Sequence, residues 1–435
     1  MQKGYSMNRR LGAAALSAAA VLLCSCSQAQ AAPHQTFKTV KTSGITAFKT
    51  PTDENGSYIT GEPTETDSFE TTSISSAENP VLTEPVTTES SLDEMATQGA
   101  TVPTVSSPQS VQTEITAEQT AQPDKTTSAP AGDSGEYNVI GDNGILVTKR
   151  ADGHYWGLMP CWGTYGLCES WAESANSFAA ALPDVKTYQM TIPTSSEFYV
   201  PAEYSSGFTG SQLAKIEHIA QNLKNIKNID AYSALNEHKD EKIFSRTDHH
   251  WFPLGAYYAA QVFAEDAGVD FADISEYKKV TKGGYVGSMY SYSNDVHLKN
   301  DPEDFDLYLS PNRSEITTNY YDRSFKNGYE SDLFTSPDGG AYYCSFLGSD
   351  DRIAEITTDC KNGKTLVVFK ESYGNALVPF LTSSFEKIYV CDIRYFNLNA
   401  VDFCKEVGAT DLLFAVCTYT PAGSNGNYLG IIINQ

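Results

Sequence analysis

Three short apolar runs near the end of the chain constrain its fold more than any other feature. They are TLVVFK (365–370), KIYVCDI (387–393) and DLLFAVC (411–417), and the segments NALVPFLTSSF and LNAVDFCKEVG, with helical spacing of apolar residues, separate them. Runs this short and this continuously apolar are typical of strands buried on both faces. Strands that alternate with helices predict an α/β fold with a mainly parallel sheet covered on both faces. A last run, YLGIII (428–433), continues the series.

The middle of the chain extends this layout. Four segments carry a helix or strand pattern: a helix at YGLCESWAESANSFAAAL (165–182), a strand at VKTYQMTIP (185–193), a helix at TGSQLAKIEHIAQNLKNI (209–226) and a short strand at IDAYSAL (229–235). Residues 270–345 are rich in Tyr, Asp, Asn and Gly and predict an insertion of loops and short strands. The folded domain is therefore expected to span residues 137–435, a length sufficient for a sizeable core.

The first 136 residues differ in composition. Two arginines precede the short apolar run LGAAALSAAAVLLCSC, a pattern that predicts a signal peptide over residues 1–32. Residues 23–26, Leu-Cys-Ser-Cys, resemble the lipobox of bacterial lipoproteins, which would make Cys26 the lipidated residue; an ordinary cleaved signal ending near residues 29–32 is the alternative. Residues 33–136, rich in Thr, Ser, Pro and Glu, predict a disordered linker. We therefore expect a lipid-anchored or secreted protein at the extracellular face of the cell membrane.

Charge and cysteine content narrow the partners and the redox chemistry. The net charge of −24 repels phosphate backbones, so nucleic acid is not an expected partner. Of the nine cysteines, two lie in the leader and seven remain, an odd number that cannot all pair. None forms a CxxC zinc knuckle. Cys161 and Cys168 flank a short loop and are candidates for a bridge in an exported protein.

Residues 248–251, Asp-His-His-Trp, precede a helical pattern that continues to about Ala267. A carboxylate two residues before an imidazole can turn back onto it, fix its tautomer and leave the second ring nitrogen as a base. The alternative is that Asp248 is the N-cap of the helix, with His249 facing solvent and Trp251 filling a packing position. A metal site is less favoured, because adjacent histidines rarely both reach one ion.

The segment KTLVVFKESYGNALVPFL places Ser372 directly after a buried strand and before a helix, and Gly374 allows a tight turn. Such a setting presents a hydroxyl at the sheet edge and directs backbone amides at a developing oxyanion. The alternative is that Ser372 only caps the helix. Because reactive groups gather at the carboxyl ends of parallel strands, we expect the Ser372 hydroxyl to lie within a proton's reach of His250.

FSRTDHHWFPLGAYYAA (244–260) and KESYGNALVPFLTSSFEKIYVCDIRYFN (370–397) together resemble the DHHW protein family of Gram-positive bacteria. That family is similar to the alginate O-acetylation proteins and belongs with the SGNH hydrolase-like superfamily. VKTYQMTIPTSSEFYVP and GGYVGSMYSYSND extend the likeness over most of residues 140–435. The resemblance implies a three-layer α/β/α domain with an SGNH-like, mainly parallel sheet.

The resemblance also implies a catalytic triad of Asp248, His250 and Ser372, with His249 outside it. The triad would transfer an acyl group through a covalent serine ester, with no metal and no cofactor.

The residues around the serine are expected to shape the site. The resemblance implies that backbone amides near Ser372 and Gly374 hold the oxyanion, and that Tyr373 and Asn375 shape the pocket. Arg394, after the strand KIYVCDI, is either a further substrate residue or part of a surface salt bridge. A Lys-Glu pair precedes the serine where the alginate proteins often have smaller residues, so the oxyanion pocket is expected to differ in shape.

Two classes of function follow. One is an O-acetyltransferase or O-acetylesterase that acts on an extracellular or cell-wall polysaccharide, and the transferase would need a membrane protein as acyl donor. The other is a non-catalytic surface lipoprotein that binds glycan or a cell-envelope protein, since a fold does not guarantee its reaction.

Overall fold

The computed structural model of the chain describes residues 137–208, 210–337 and 340–435. The predicted signal peptide (1–32), the lipidation site Cys26 and the predicted linker (33–136) lie outside the described residues. Within those residues, no helix has the length and apolar character needed to cross a bilayer.

The strands of the described residues are short and spread along the whole domain. They are β1 (Asn138–Ile140), β2 (Leu146–Lys149), β3 (Tyr155–Leu158), β4 (Lys186–Ile192), β5 (Lys227–Ile229), β6 (Lys278–Tyr285), β7 (Glu303–Leu309), β8 (Thr317–Tyr321), β9 (Tyr329–Glu330), β10 (Ile353–Thr357), β11 (Thr365–Lys370), β12 (Lys387–Asp392) and β13 (Asp411–Cys417).

The helices vary from single turns to five turns. They are α1 (Tyr165–Ala181), α2 (Ser195–Tyr199), α3 (Ala202–Phe208), α4 (Gln212–Asn222), α5 (Ala231–Glu237), α6 (Pro253–Ala267), α7 (Ser288–Ser293), α8 (Val296–Asn300), α9 (Val378–Leu381), α10 (Ala400–Glu406), α11 (Tyr419–Ala422) and α12 (Asn427–Ile432). A 3-10 turn (Ser372–Ala376) separates β11 from α9.

A large central sheet organises the domain. Its strand order is β5-β4-β13-β11-β12-β10-β8-β9. The strands from β5 to β12 in this order run parallel, whereas β10, β8 and β9 pair antiparallel. The predicted α/β class is therefore confirmed as a mixed α/β fold with a large central sheet and helices. Residues 270–345, expected to be an insertion, contribute β8 and β9 to this sheet and the separate β6–β7 pair.

Both faces of the central strands are buried, which explains their continuous apolar sequences. Along β11, Leu366 and Val368 enter one hydrophobic cluster together with α6, whereas Val367 and Phe369 enter a second cluster together with α1. The Phe178 ring of α1 lies 5.8 Å from that of Phe369. Each such buried side chain contributes about 1.5–3 kcal/mol. The parallel strands are thus held rigidly, and so are the residues at their carboxyl ends.

Two of the predicted strands are helices. In IDAYSAL only Ile229 belongs to a strand, because the Asp230 carboxylate accepts a hydrogen bond from the Ser233 amide at 3.0 Å and starts α5. YLGIII lies mostly in α12, where Leu429 and Ile432, three residues apart, are buried on one face. Short apolar segments carry too little periodicity to distinguish the two structures.

The suggested bridge between Cys161 and Cys168 does not form. Both side chains are buried, and Cys168 is a free thiol.

Candidate active site

The Asp-His-His-Trp segment and the turn that carries Ser372 meet at the carboxyl edge of the central sheet. His250 Nε2 lies 2.8 Å from Ser372 Oγ, although 122 residues separate the two along the chain. His250 Nδ1 lies 3.2 Å from Asp248 Oδ1. All three residues are buried. The imidazole can accept the proton of the hydroxyl, and the carboxylate can stabilise the resulting cation.

The end of β11 sets the position of Ser372. The strand stops at Lys370, the backbone of Glu371 is still extended, and Ser372 begins the 3-10 turn. A Cβ on Gly374 would lie 2.5 Å from the Cβ of Lys370, so the turn can fold back over the strand only with glycine at this position. The sequence signal of a strand followed by Ser-x-Gly therefore has a packing cause.

The segment around Asp248 is a tight turn held by local hydrogen bonds. Phe244 and Trp251 form a single β-bridge across it, and the Asp248 amide donates to Ser245 Oγ at 2.8 Å. The N-cap of α6 is Phe252, which makes no side-chain cap. The alternative that Asp248 caps this helix is therefore wrong.

Donors from three directions orient the Asp248 carboxylate. Tyr285 Oη donates to Oδ2, while Ser288 Oγ (2.7 Å) and the His249 amide (2.6 Å) donate to Oδ1. Gly287 packs directly on the aspartate, since a Cβ there would lie 2.4 Å from the Cβ of Asp248. Sequence reasoning missed these roles of Tyr285, Gly287 and Ser288. Their segment, GGYVGSMYSYSND, entered only as part of the family likeness, and its glycine before a serine was the available signal.

Two aromatic side chains hold the imidazole and the serine turn together. The Tyr343 ring stacks on His250 with centroids 3.7 Å apart and an interplanar angle of 6°. Its hydroxyl donates to the carbonyls of Ser372 (2.9 Å) and Tyr373 (3.1 Å). Trp251 Nε1 donates to the Tyr373 carbonyl at 3.0 Å. Tyr343 carried no sequence signal, because it lies in an irregular segment far from both motifs.

The electrostatics of the site favour a neutral imidazole beside an ionised carboxylate. Burial, followed by the neighbouring His249, lowers the pKa of His250 to about 4, so this ring is neutral at pH 7. Burial by itself would raise the pKa of Asp248, but His250 and the hydrogen bond from His249 hold it well below its usual range. Burial and the charge of Asp248 raise the pKa of Tyr285 well above its usual range, so its hydroxyl remains a donor.

His249 contacts Asp248 as well, but it forms no hydrogen bond with Ser372 among the described residues. Its Nδ1 lies 2.5 Å from Ser288 Oγ and 3.0 Å from Asp248 Oδ1. Ligand atoms of Asp248, His249 and His250 lie within 4.8 Å of one another, which is close enough to surround a metal ion. An ion bound to Asp248 and to His250 Nδ1 would have to replace the hydrogen bond between them.

The side chains expected to shape the pocket point elsewhere. Tyr373 Oη donates to the His249 carbonyl, and Asn375 Nδ2 donates to Asp350 at 2.9 Å. Arg394 pairs with Asp392 at 2.7 Å and with Asp350 at 3.0 Å, and its side chain is only 7% exposed. Arg394 thus belongs to a buried ion-pair network rather than to a surface salt bridge. Lys370 completes this network with bonds of 2.9 Å to Asp350 and 3.0 Å to Asp392.

The backbone amides of the turn are mostly engaged inside it. The Gly374 amide donates to the Glu371 carbonyl at 2.9 Å, and the Tyr373 amide donates to Glu371 Oε2 at 3.1 Å. Within the part of the chain that the structure describes, the Ser372 amide has no backbone acceptor of this kind. Of the amides near Ser372 and Gly374 that the resemblance implies as oxyanion donors, those of Tyr373 and Gly374 are therefore already engaged.

Comparison with known proteins finds a matching family model and similar solved structures. A family model described as DHHW protein matches residues 163–391. The chain is similar to the crystal structure of a DHHW family protein from Eubacterium siraeum, with 41% identity over 68% of this chain and 98% of that chain and a TM-score of 0.64. No curated protein matches.

Two more distant structures are also similar. The structure of Bacillus cereus PatB1 with a sulfonyl adduct shares 15% identity, covers 65% of this chain and 98% of that chain, and has a TM-score of 0.54, so the likeness concerns the fold alone. The O-acetyltransferase domain of Pseudomonas putida AlgJ shares 14% identity over 69% of this chain and 99% of that chain, and its TM-score of 0.36 carries no argument.

Proposed function

The chain belongs to the DHHW protein family, and we propose that it is a serine acyl-transfer enzyme, an O-acetyltransferase or O-acetylesterase that acts on an extracellular or cell-wall polysaccharide. The observation that carries this proposal is the 2.8 Å contact between His250 Nε2 and Ser372 Oγ, with Asp248 on the other ring nitrogen. The proposal includes an SGNH-like three-layer arrangement, and it is compatible with the fold shared with PatB1, a protein solved with a sulfonyl adduct.

In this mechanism His250 Nε2 takes the proton from Ser372 Oγ while the oxygen attacks the acyl carbonyl carbon. The Asp248 carboxylate stabilises the imidazolium, and the Ser372 amide donates to the oxyanion. A lost donor of that kind costs about 3–4 kcal/mol. His250 then returns the proton to the leaving oxygen, and a sugar hydroxyl or water removes the acyl group from the serine. Exclusion of water decides between transferase and esterase.

The proposed setting is the outer face of the cell membrane, with Cys26 as the lipid anchor and residues 33–136 as a tether. A transferase in this place needs a membrane protein that delivers the acyl group from inside the cell. An esterase needs only water. The reaction proposed here uses no cofactor, because the nucleophile, the base and the oxyanion donor are all side-chain or backbone groups.

A serine-directed fluorophosphonate tests the proposal. We expect it to label wild-type protein at Ser372 and to leave Ser372→Ala unlabelled, with both proteins melting alike. Ser384→Ala is the matched control, since it removes a buried serine hydroxyl that has no hydrogen-bond partner among the described residues, and it should be labelled like the wild type. Folded wild-type protein that takes no label and hydrolyses no acetyl ester would favour the glycan-binding or protein-binding lipoprotein instead.

Mass spectrometry of the surface polymer from a strain that lacks this protein separates the two enzymatic alternatives. A transferase predicts less O-acetyl on the polymer, and an esterase predicts more. Unchanged acetylation would contradict a role on that polymer.

A further inference from the structure

The carboxylate of Glu371 lies directly beside the nucleophile. Its Oε2 accepts a hydrogen bond from the Tyr373 amide at 3.1 Å and lies 3.4 Å from Ser372 Oγ. Its Oε1 accepts the Cys417 amide at 2.7 Å. Both oxygens therefore act as acceptors from backbone donors, as in an ionised carboxylate. Glu371 ties the serine turn to the end of the neighbouring strand β13 and has no freedom to swing away.

This charge is buried and is held by hydrogen bonds rather than by a direct ion pair. Glu371 is only 7% exposed. Among the described residues, no Lys, Arg or His nitrogen lies within 4.0 Å of a Glu371 carboxylate oxygen, the distance that defines an ion pair. Arg394 acts on it from farther away, but Arg394 is already paired with Asp392 and Asp350. A negative charge in such a place is screened far less than one at the surface.

An acyl group on Ser372 must enter this field. Its carbonyl carbon is one covalent bond from Oγ, and Oγ is 3.4 Å from Glu371 Oε2. Every atom of a short acyl chain is consequently a few bonds from Oγ and therefore close in space to the Glu371 carboxylate. A neutral chain such as acetyl presents only a dipole to the Glu371 charge. A dicarboxylic chain such as succinyl brings a second negative charge close to it.

We propose that Glu371 is a specificity-determining residue that favours uncharged acyl groups on Ser372 and excludes those with a free carboxylate. This inference rests on the proposed function. The repulsion between two like charges about 7 Å apart in a protein interior should lower the rate of acyl transfer to Ser372 by about 50-fold. The discrimination should therefore be large enough to measure.

Two p-nitrophenyl esters with the same succinyl chain provide the test, one with a free carboxylate and one with that carboxylate blocked as a methyl ester. In each, the bond between Ser372 Oγ and the acyl carbon forms as the bond to p-nitrophenolate breaks, and His250 takes the serine proton. We expect the wild type to prefer the methyl ester in kcat/KM by at least tenfold, and Glu371→Gln to reduce that preference at least tenfold. Equal kcat/KM values in the wild type would overturn the inference even if the variant does not fold.

The matched control is Glu386→Gln, which removes a carboxylate that also accepts a backbone amide, from Gly363 at 2.9 Å, at the opposite edge of the sheet. It should keep the wild-type preference. A folded Glu371→Gln protein that also keeps it would overturn the inference while leaving the proposed function intact. A wild type that hydrolyses neither ester and takes no fluorophosphonate would overturn the proposed function and the inference with it.

Discussion

Tyr285→Phe removes one oxygen atom and tests whether the site depends on the support of Asp248. Within the described residues, the Tyr285 hydroxyl is the only donor to Asp248 Oδ2. The variant therefore leaves a buried, charged oxygen without a hydrogen bond, whereas Oδ1 keeps its bonds from Ser288 and the His249 amide. Hydrogen bonds to charged groups contribute about 1.5–3 kcal/mol, and we expect a loss of stability in that range.

The comparison that isolates the charge is Tyr199→Phe. Tyr199 is also buried, and its hydroxyl donates at 2.7 Å to a neutral acceptor, the Lys239 carbonyl. Loss of a neutral hydrogen bond costs about 0.5–1.5 kcal/mol. Urea unfolding at pH 7 measures both variants, and the slope with denaturant shows whether the unfolded states are comparable.

The same variants separate stability from reactivity. Tyr285→Phe should slow the labelling of Ser372 by fluorophosphonate at least tenfold, because a less firmly held carboxylate stabilises the His250 cation less well. Tyr199→Phe should label at the wild-type rate. If the two variants lose equal stability and both label normally, the Tyr285 hydrogen bond does not support the site and the reasoning fails.

Two further predictions concern Asp248 and His250. Gly287→Ala places a Cβ 2.4 Å from that of Asp248, so we expect it to cost about 1–3 kcal/mol and to slow Ser372 labelling at least tenfold; labelling at the wild-type rate would show that the two backbones can separate freely. The pKa of His250 is about 4 in the folded protein and about 6.5 in an unfolded chain, so as the pH falls through this window only the unfolded chain binds the proton and stability is lost. Urea unfolding of the wild type and His250→Gln at pH 7 and pH 4 should differ in pH dependence by about 3 kcal/mol, and parallel curves would contradict the buried neutral ring.

Much of the fold was predictable because local and global preferences agree at the centre of the sheet. β11 and β13 are apolar throughout since both of their faces are covered, and such runs have few alternatives to a buried strand. At the periphery this agreement is lost. Residues 229–235 and 428–433 are apolar and short, and there the Asp230 cap and packing on one face, rather than composition, selected helix.

The site divides in the same way. Ser372 after a strand and Asp248 two residues before His250 are local patterns. Their contact joins segments 122 residues apart, and the Asp248 segment lies between two helices rather than at the end of a strand. The placement of Arg394 could not be predicted, because a side chain after a strand chooses between the substrate and nearby carboxylates. Here Asp392 and Asp350 are buried within 3.0 Å of it and hold it by charge.

The chain by itself thus determined the elements that short-range chemistry specifies: buried strands, a serine at the end of one of them, and an acid and an imidazole two residues apart. The tertiary structure alone decided which groups surround them. Tyr285, Ser288 and Tyr343 come from irregular segments, and Glu371 acquires its role only because β13 brings the Cys417 amide to its carboxylate. Contacts between residues far apart in the chain depend on how whole elements pack, and no local pattern records them.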